Sequence, residues 1–361
     1  PSPWSRQPDD VRPTETIGTE LAFGTPQEVA LGLLMPVQWY PMFENALHAK
    51  HATGRDDHLR QASEMWARFS RVAVDNPYAA VRRPSSAEAI RTPRADNRMI
   101  GWPYPKLMNS NNHVDQGAAL ILCSAAAARR FGVPTDRWVY LHGAAEATDV
   151  AEVPRRWDLA GSPAIRAAGA EALRAAAIGI DDLAYVDLYS CFPSAVQVAA
   201  DELGLGLERE LTVTGGLTFA GGPWNNYVTH AIATMMGRLR VDPGAYGLCT
   251  ANGGHLSKHA VGVYSCRPPA AALQVAHPQD VVETAPARQV LDDPSGDARI
   301  ETFTVMHDRE GQAERGFVAC LDTEGRRALV ATDDADDLSR LVAEDLIGTR
   351  VKLSGQTLRL A

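Results

Sequence analysis

Between Ser162 and Cys266 short apolar runs of strand type alternate with segments of helical period, and this alternation restricts the chain to an α/β layer. Ser162-Pro163 opens a helix in which Ile165, Ala168, Ala172, Leu173 and Ala176 share one face, and Gly179 closes it. Ala184 to Tyr189 reads as a strand, and Cys191 to Leu203 as a helix with Phe192, Ala195, Val196, Ala199 and Leu203 at helical spacing. A glycine-rich stretch from Thr214 to Tyr227 precedes a helix over Thr229 to Leu239, and strands over Tyr246 to Asn252 and Val261 to Cys266 flank Gly253-Gly254.

Upstream, Thr25-Pro26-Gln27-Glu28 places a cap and a first-turn proline ahead of short helical segments. Asp57 to Val74 forms the clearest amphipathic helix. Gly117 to Cys123 is an apolar run expected as a buried strand, followed by an alanine-rich helix from Ser124 and a strand over Trp138 to Ala147. Arg267-Pro268-Pro269 begins a stretch rich in Pro, Ala and Asp, expected as a linker. Beyond it, Ile300 to Met306, Gly316 to Leu321 and Ala328 to Thr332 alternate apolar and polar residues around Asp-Arg-Glu-Gly and Asp-Thr-Glu-Gly turns, which predicts an antiparallel meander. Asp336 to Ile347 reads as a helix, with a last hairpin around Ser354-Gly355. The expected division is an extended lead-in (1–26), a first domain with a loop region (27–130), a second α/β domain (131–268), a linker (269–294) and a small α+β domain (295–361).

The net charge is −9 with no dense Lys/Arg run, which removes the electrostatic footprint of nucleic-acid binding. The apolar runs are too short to span a bilayer, and the opening residues do not form a signal peptide, so a cytoplasmic protein is expected. Five scattered cysteines without Cys-x-x-Cys or His-x-x-x-His spacing argue for reduced thiols and against a metal centre.

Chemistry concentrates at three places. At Leu188-Tyr189-Ser190-Cys191-Phe192 a strand end meets a helix N-terminus, where free N–H groups and the helix dipole favour developing negative charge. The second place is Gly221-Gly222-Pro223, and the third is Cys249-Thr250-Ala251-Asn252-Gly253-Gly254. In their order along the chain the three resemble the active-site loops in the second half of thiolases: the Asn-Glu-Ala-Phe or His-Asp-Cys-Phe corner, Gly-His-Pro, and Cys-x-Gly. Asn76-Pro77-Tyr78-Ala79, Arg83-Pro84 and Asn109-Ser110 through Asp115-Gln116-Gly117-Ala118-Ala119 are similar to the loop domain of the sterol-carrier-protein branch and its mycobacterial relatives. The last segment is similar to the extra domain of monomeric thiolase-like proteins.

The resemblance implies a layered α-β-α-β-α thiolase-like architecture with an incomplete first domain, plus the small C-terminal α+β domain. The activity it implies is acyltransfer on acyl-CoA in lipid metabolism, with coenzyme A as part of the substrate and no other cofactor. The site residues it implies are Tyr189, Cys249 and His255 for catalysis, with Ser110, Gly221, Gly222, Asn226, Asn252 and Gly253 around the substrate. Several positions depart from the family pattern. Gly222 stands where thiolases carry a catalytic histidine, Tyr189 replaces the Asn or His of the corner, and Ala251 replaces a glycine. The β-α units that carry the acyl-accepting cysteine have no counterpart before Gln27, so the chain is expected to be either monomeric or paired with a chain that supplies the missing strands. Ordinary thiolysis is therefore not expected. The alternatives are a tyrosine-dependent retro-aldolase on a steroid or lipid acyl-CoA, in which Tyr227 and Tyr246 join Tyr189, and a non-catalytic acyl-CoA-binding or scaffold protein.

Overall fold

The computed structural model describes residues 8, 10–12, 14–15, 24–358 and 360, so most of the expected lead-in lies outside the described residues. Helices α1 (Pro26–Leu31), α2 (Pro36–His51), α3 (Arg55–Asp75) and α4 (Ala87–Arg91) come first, followed by the short strands β1 (Met99–Gly101) and β2 (Tyr104–Pro105). Next are α5 (Ala125–Arg130), β3 (Tyr140–Thr148), α6 (Pro163–Ala176), β4 (Leu183–Asp187), α7 (Pro193–Leu203), α8 (Gly216–Phe219), α9 (Tyr227–Val241), β5 (Tyr246–Gly253) and β6 (Lys258–Ser265). The chain ends with β7 (Val275–Ala276), α10 (Gln279–Glu283), β8 (Ser295–His307), β9 (Ala313–Asp322), β10 (Arg327–Thr332), α11 (Ala335–Ala343) and β11 (Arg350–Ser354). The cap expected at Thr25 is a complete capping box: Glu28 N–H donates to the Thr25 hydroxyl at 3.2 Å, and Thr25 N–H donates to the Glu28 carboxylate at 2.7 Å.

Two sheets organise the molecule. The first runs β4-β5-β6-β3-β7, with β4 parallel to β5 and β6 antiparallel to both β5 and β3. Helix α6 packs on β3 and β6, and Gly143 permits the approach because a Cβ there would come within 2.4 Å of the Ala172 carbonyl. Strand alternation sends Gly247 of β5 against Met235 of α9, while Thr250 turns toward Ile165 of α6 and Ala195 and Ala199 of α7, so helices cover both faces.

The second sheet runs β10-β9-β8-β1-β2, and β11 also pairs with β8. The expected meander is β8, β9 and β10, joined in antiparallel register. Its two faces part company. Val318, Cys320, Ala328 and Val330 pack in a local core with Ile300 and Leu341, whereas Phe317, Ala319, Leu329 and Ala331 join the main core. Helix α2 lies against β8, with Asn45 Nδ2 donating to the Phe303 carbonyl at 2.7 Å. The stretch 269–294, expected as a linker, contains helix α10 and strand β7, which pairs in parallel with β3.

Two further readings of the sequence, a buried strand over Gly117 to Cys123 and Ser190 as the cap of the helix that follows it, differ from the structure. Gly117 to Cys123 forms no strand; Ile121 and Leu122 are 93% and 83% exposed, because no described segment pairs with that stretch. Ser190 does not cap α7; Phe192 is the cap residue without a side-chain bond, and the Ser190 hydroxyl instead accepts from Leu217 N–H at 3.3 Å. No described helix is long and apolar enough to cross a membrane.

Candidate active site

Tyr189 leaves the end of β4 at the corner before α7, anchored by its N–H donating to the Thr250 hydroxyl at 2.8 Å. Its ring meets that of Tyr227 edge-on, with centroids 5.4 Å apart. One side faces an apolar recess lined by Ile165, Ala195, Ala199 and Leu256, and the other opens on a cleft of about 380 Å³. That cleft brings Tyr189 together with Asn252 and Gly253, and with Trp224, Asn225, Lys258 and His259. Burial, then the neighbouring Cys191, raises the Tyr189 pKa well above 10, so the phenol is neutral and a hydrogen-bond donor at physiological pH.

Helix α2 supports this cleft from below. Tyr40 stacks on Phe192 with centroids 4.4 Å apart, and its hydroxyl accepts from Asn252 Nδ2 at 2.9 Å and from Leu256 N–H at 3.2 Å. One tyrosine thus fixes both the corner and the hairpin after β5. Behind it, Glu44 is fully buried and accepts from Gln197 and Tyr104, and it pairs with His58 at 2.5 Å. The His58 partnership holds the Glu44 carboxyl below its usual range against the opposing effect of burial.

The thiols are poorly placed for nucleophilic work. Burial pushes Cys191 up to about 12, and it pushes Cys249 well above 9, with the Asp187 charge adding to the shift. Cys249 pairs in register with Asp187, on the α9 side of the sheet and away from the Thr250 face. His255 lies buried against Trp39, with ring centroids 6.5 Å apart, and does not line the Tyr189 cleft. Burial and the Arg156 cation lower its pKa to about 4, so it is neutral.

The glycine loop leaves no room for a side chain at position 222. Segment 109–112 runs beside it: Gly222 N–H donates to the Asn111 carbonyl at 2.9 Å, and Asn111 N–H to the Leu217 carbonyl at 3.1 Å. A Cβ on Gly222 would sit 2.2 Å from the Ser110 hydroxyl and 3.0 Å from Asn112 Oδ1. Gly221 has φ of +124° and faces a second, larger cleft with Gln116, Tyr227 and His230. Asn226 contacts His230 at 3.3 Å. We expect Gly222→His to displace segment 110–112 at a cost of about 1–3 kcal/mol, read by urea unfolding, without creating thiolysis. A fully stable variant would contradict that packing.

The structure adds a buried carboxyl that sequence reasoning did not identify. Asp187 Oδ2 accepts from Val213 N–H at 2.9 Å and the Thr212 hydroxyl at 3.0 Å, while Oδ1 lies 3.0 Å from the Tyr227 hydroxyl, which also contacts Thr214 at 2.8 Å. Burial outweighs these bonds and raises the Asp187 pKa to about 6.

A family model for the additional C-terminal domain of thiolase-like protein type 1 matches residues 278–356. A solved structure of a monomeric SCP2-thiolase-like protein type 1 from Mycobacterium smegmatis is 38% identical, with a TM-score of 0.86 over 93% of this chain and 75% of that one. The chain belongs to the SCP2-thiolase-like type 1 family. An Ltp2-ChsH2(DUF35) aldolase shares the fold at 19% identity and a TM-score of 0.54, covering 66% of each chain. No curated protein sequence matches. Within this SCP2-thiolase-like fold the expected residues divide: Tyr189, Asn252 and Gly253 share one cleft, whereas Cys249 and His255 lie outside it. Trp224 was legible only as an aromatic after Gly-Gly-Pro; in the structure it is 70% exposed at the cleft mouth.

Proposed function

We propose that this SCP2-thiolase-like chain binds acyl-CoA thioesters in the Tyr189 cleft without cysteine-carried thiolysis. The observation that carries the reading is the neutral Tyr189 phenol on an open cleft whose neighbouring thiols are buried. A thiol titrating near 12 is about one part in a hundred thousand thiolate at pH 7. A neutral phenol, by contrast, can donate to a thioester oxygen and stabilise the charge that develops there. Gly222 is packed against Ser110, so the position of the family histidine itself carries no basic group.

A retro-aldol cleavage of an acyl-CoA is the second reading, because it uses a proton donor at the thioester oxygen and needs no acyl-carrying thiol. Of the tyrosines considered for it, Tyr227 is committed to Asp187 and Thr214, and Tyr246 packs with His142 and Arg267, which leaves Tyr189 as the available phenol. By analogy with the monomeric relative, we take the working form to be a single chain.

Calorimetric titration with octanoyl-CoA tests the reading. Saturable binding is expected, weakened about two- to tenfold in Tyr189→Phe through loss of one hydrogen bond. Absence of binding, or a Tyr189→Phe variant with unchanged affinity, would refute it.

A further inference from the structure

Trp224 is a bulky residue held at φ +49°, a conformation that costs about 1–3 kcal/mol when a side chain bears a Cβ. Its N–H closes a turn by donating to the Gly222 carbonyl at 2.7 Å across Pro223. The outcome of this strain is an indole left 70% exposed on the wall of the Tyr189 cleft. Such a side chain would normally relieve both costs by folding against the core. Lys258 lines the same cleft, with its stem against Gly253 (a Cβ on Gly253 would lie 3.5 Å from Lys258 Cβ). Among the described residues its ammonium has no ion-pair or hydrogen-bond partner, whereas Glu146, the carboxylate of that cleft, is paired with His277 at 3.2 Å.

We propose that Trp224 and Lys258 form a specificity element that selects thioesters with a planar apolar acyl group, laid on the indole, and an anionic oxygen at Lys258. This rests on the acyl-CoA reading and narrows it. The cleft volume of about 380 Å³ suits a compact acyl group, with the thioester end toward Tyr189. Aromatic and fused-ring acyl groups lose little conformational freedom on stacking, so a flat group gains more from the indole than a flexible chain does. The anion at Lys258 has two sources, the phosphates of coenzyme A or a carboxylate carried by the acyl group, and the probes below separate them.

The experiment measures affinities of wild type, Trp224→Ala, Trp224→Phe and Lys258→Gln for cinnamoyl-CoA, hexanoyl-CoA, 4-carboxycinnamoyl-CoA and the N-acetylcysteamine thioester of cinnamate. Circular dichroism verifies folding of each variant, and both side chains are exposed. Wild type should prefer cinnamoyl-CoA to hexanoyl-CoA, and Trp224→Ala should erase that preference with a loss of about tenfold on cinnamoyl-CoA, largely restored in Trp224→Phe. Lys258→Gln should weaken every CoA ester but not the N-acetylcysteamine ester if the phosphates supply the anion, and only the carboxylated ester if the acyl group does. Tight binding of both simple esters with no change in Trp224→Ala overturns the stacking role while leaving acyl-CoA binding intact. A Lys258→Gln variant unchanged toward all four probes overturns the anion site. Binding of none of the thioesters by wild type overturns the functional reading and this inference with it.

Discussion

Replacing Arg327 with alanine is expected to lower the unfolding free energy by about 3–5 kcal/mol, because it leaves the partly buried Glu301 carboxylate and the carbonyls of Pro154 and Arg156 without their partner and empties a buried site. Arg327 is fully buried and makes two bonds to Glu301, each 2.6 Å, while its Nη1 donates to the carbonyls of Pro154 at 2.7 Å and of Arg156. It therefore ties β8 and β10 to the segment that holds Arg156, whose own guanidinium donates to the Val150 carbonyl and to the Ser257 hydroxyl beside the site hairpin. Urea unfolding with an unchanged denaturant slope provides the measurement. The double replacement Arg327→Met with Glu301→Leu should recover part of the loss, since no unpaired charge then remains. A single alanine variant within about 1 kcal/mol of wild type would show that this ion pair does not hold the sheets together.

The second large effect is a pH dependence centred on Asp187. Its folded pKa of about 6 lies above the ordinary 3.8, so the protonated form is favoured by folding. The sign follows: the stabilising contribution is fully present below about pH 4 and is lost as pH rises through 6, a total on the order of 3 kcal/mol. Asp187→Asn mimics the protonated carboxyl, with the amide oxygen accepting from Val213 and Thr212 and the amide nitrogen donating to the Tyr227 hydroxyl. Unfolding measured at pH 4 and pH 7 should show the variant gaining on wild type by about that amount as pH rises. A difference that stays constant between the two values would mean that Asp187 titrates normally.

Much of the fold was legible because periodicity is a local property. Strand β4, helix α7 and strand β5 each present one buried pattern, and the sequence order of three loops led to the family. Helix α2 was not legible as one long helix. It is buried on several sides, including polar Glu44, Asn45 and His48, and so carries no polar stripe, because it lies between the main core and β8. Gly117 to Cys123 reads as a strand on apolarity alone, yet a strand requires a pairing partner, which local sequence does not record. In β9 and β10 alternation is equally clean whether the second face meets solvent or another core, so the packing of the C-terminal domain against the main core was not legible.

The site followed the same division. Tyr189 was visible as a polar residue at a strand-to-helix corner, and Asn252 by its place beside the glycine pair. Cys249 carries a family motif, but the two-residue period of β5 turns it toward Asp187 and α9, a consequence of sheet register that composition does not reveal. Trp224 and Lys258 lie far enough apart in sequence that only the folded chain brings them to one cleft.

The most direct test of the account is an assay of acetoacetyl-CoA cleavage by coenzyme A with the same preparation that binds octanoyl-CoA. The account predicts no turnover above a heat-inactivated control, and no change in Cys191→Ala or Cys249→Ala, because both thiols are buried and protonated. Robust thiolysis that disappears in either cysteine variant would contradict it.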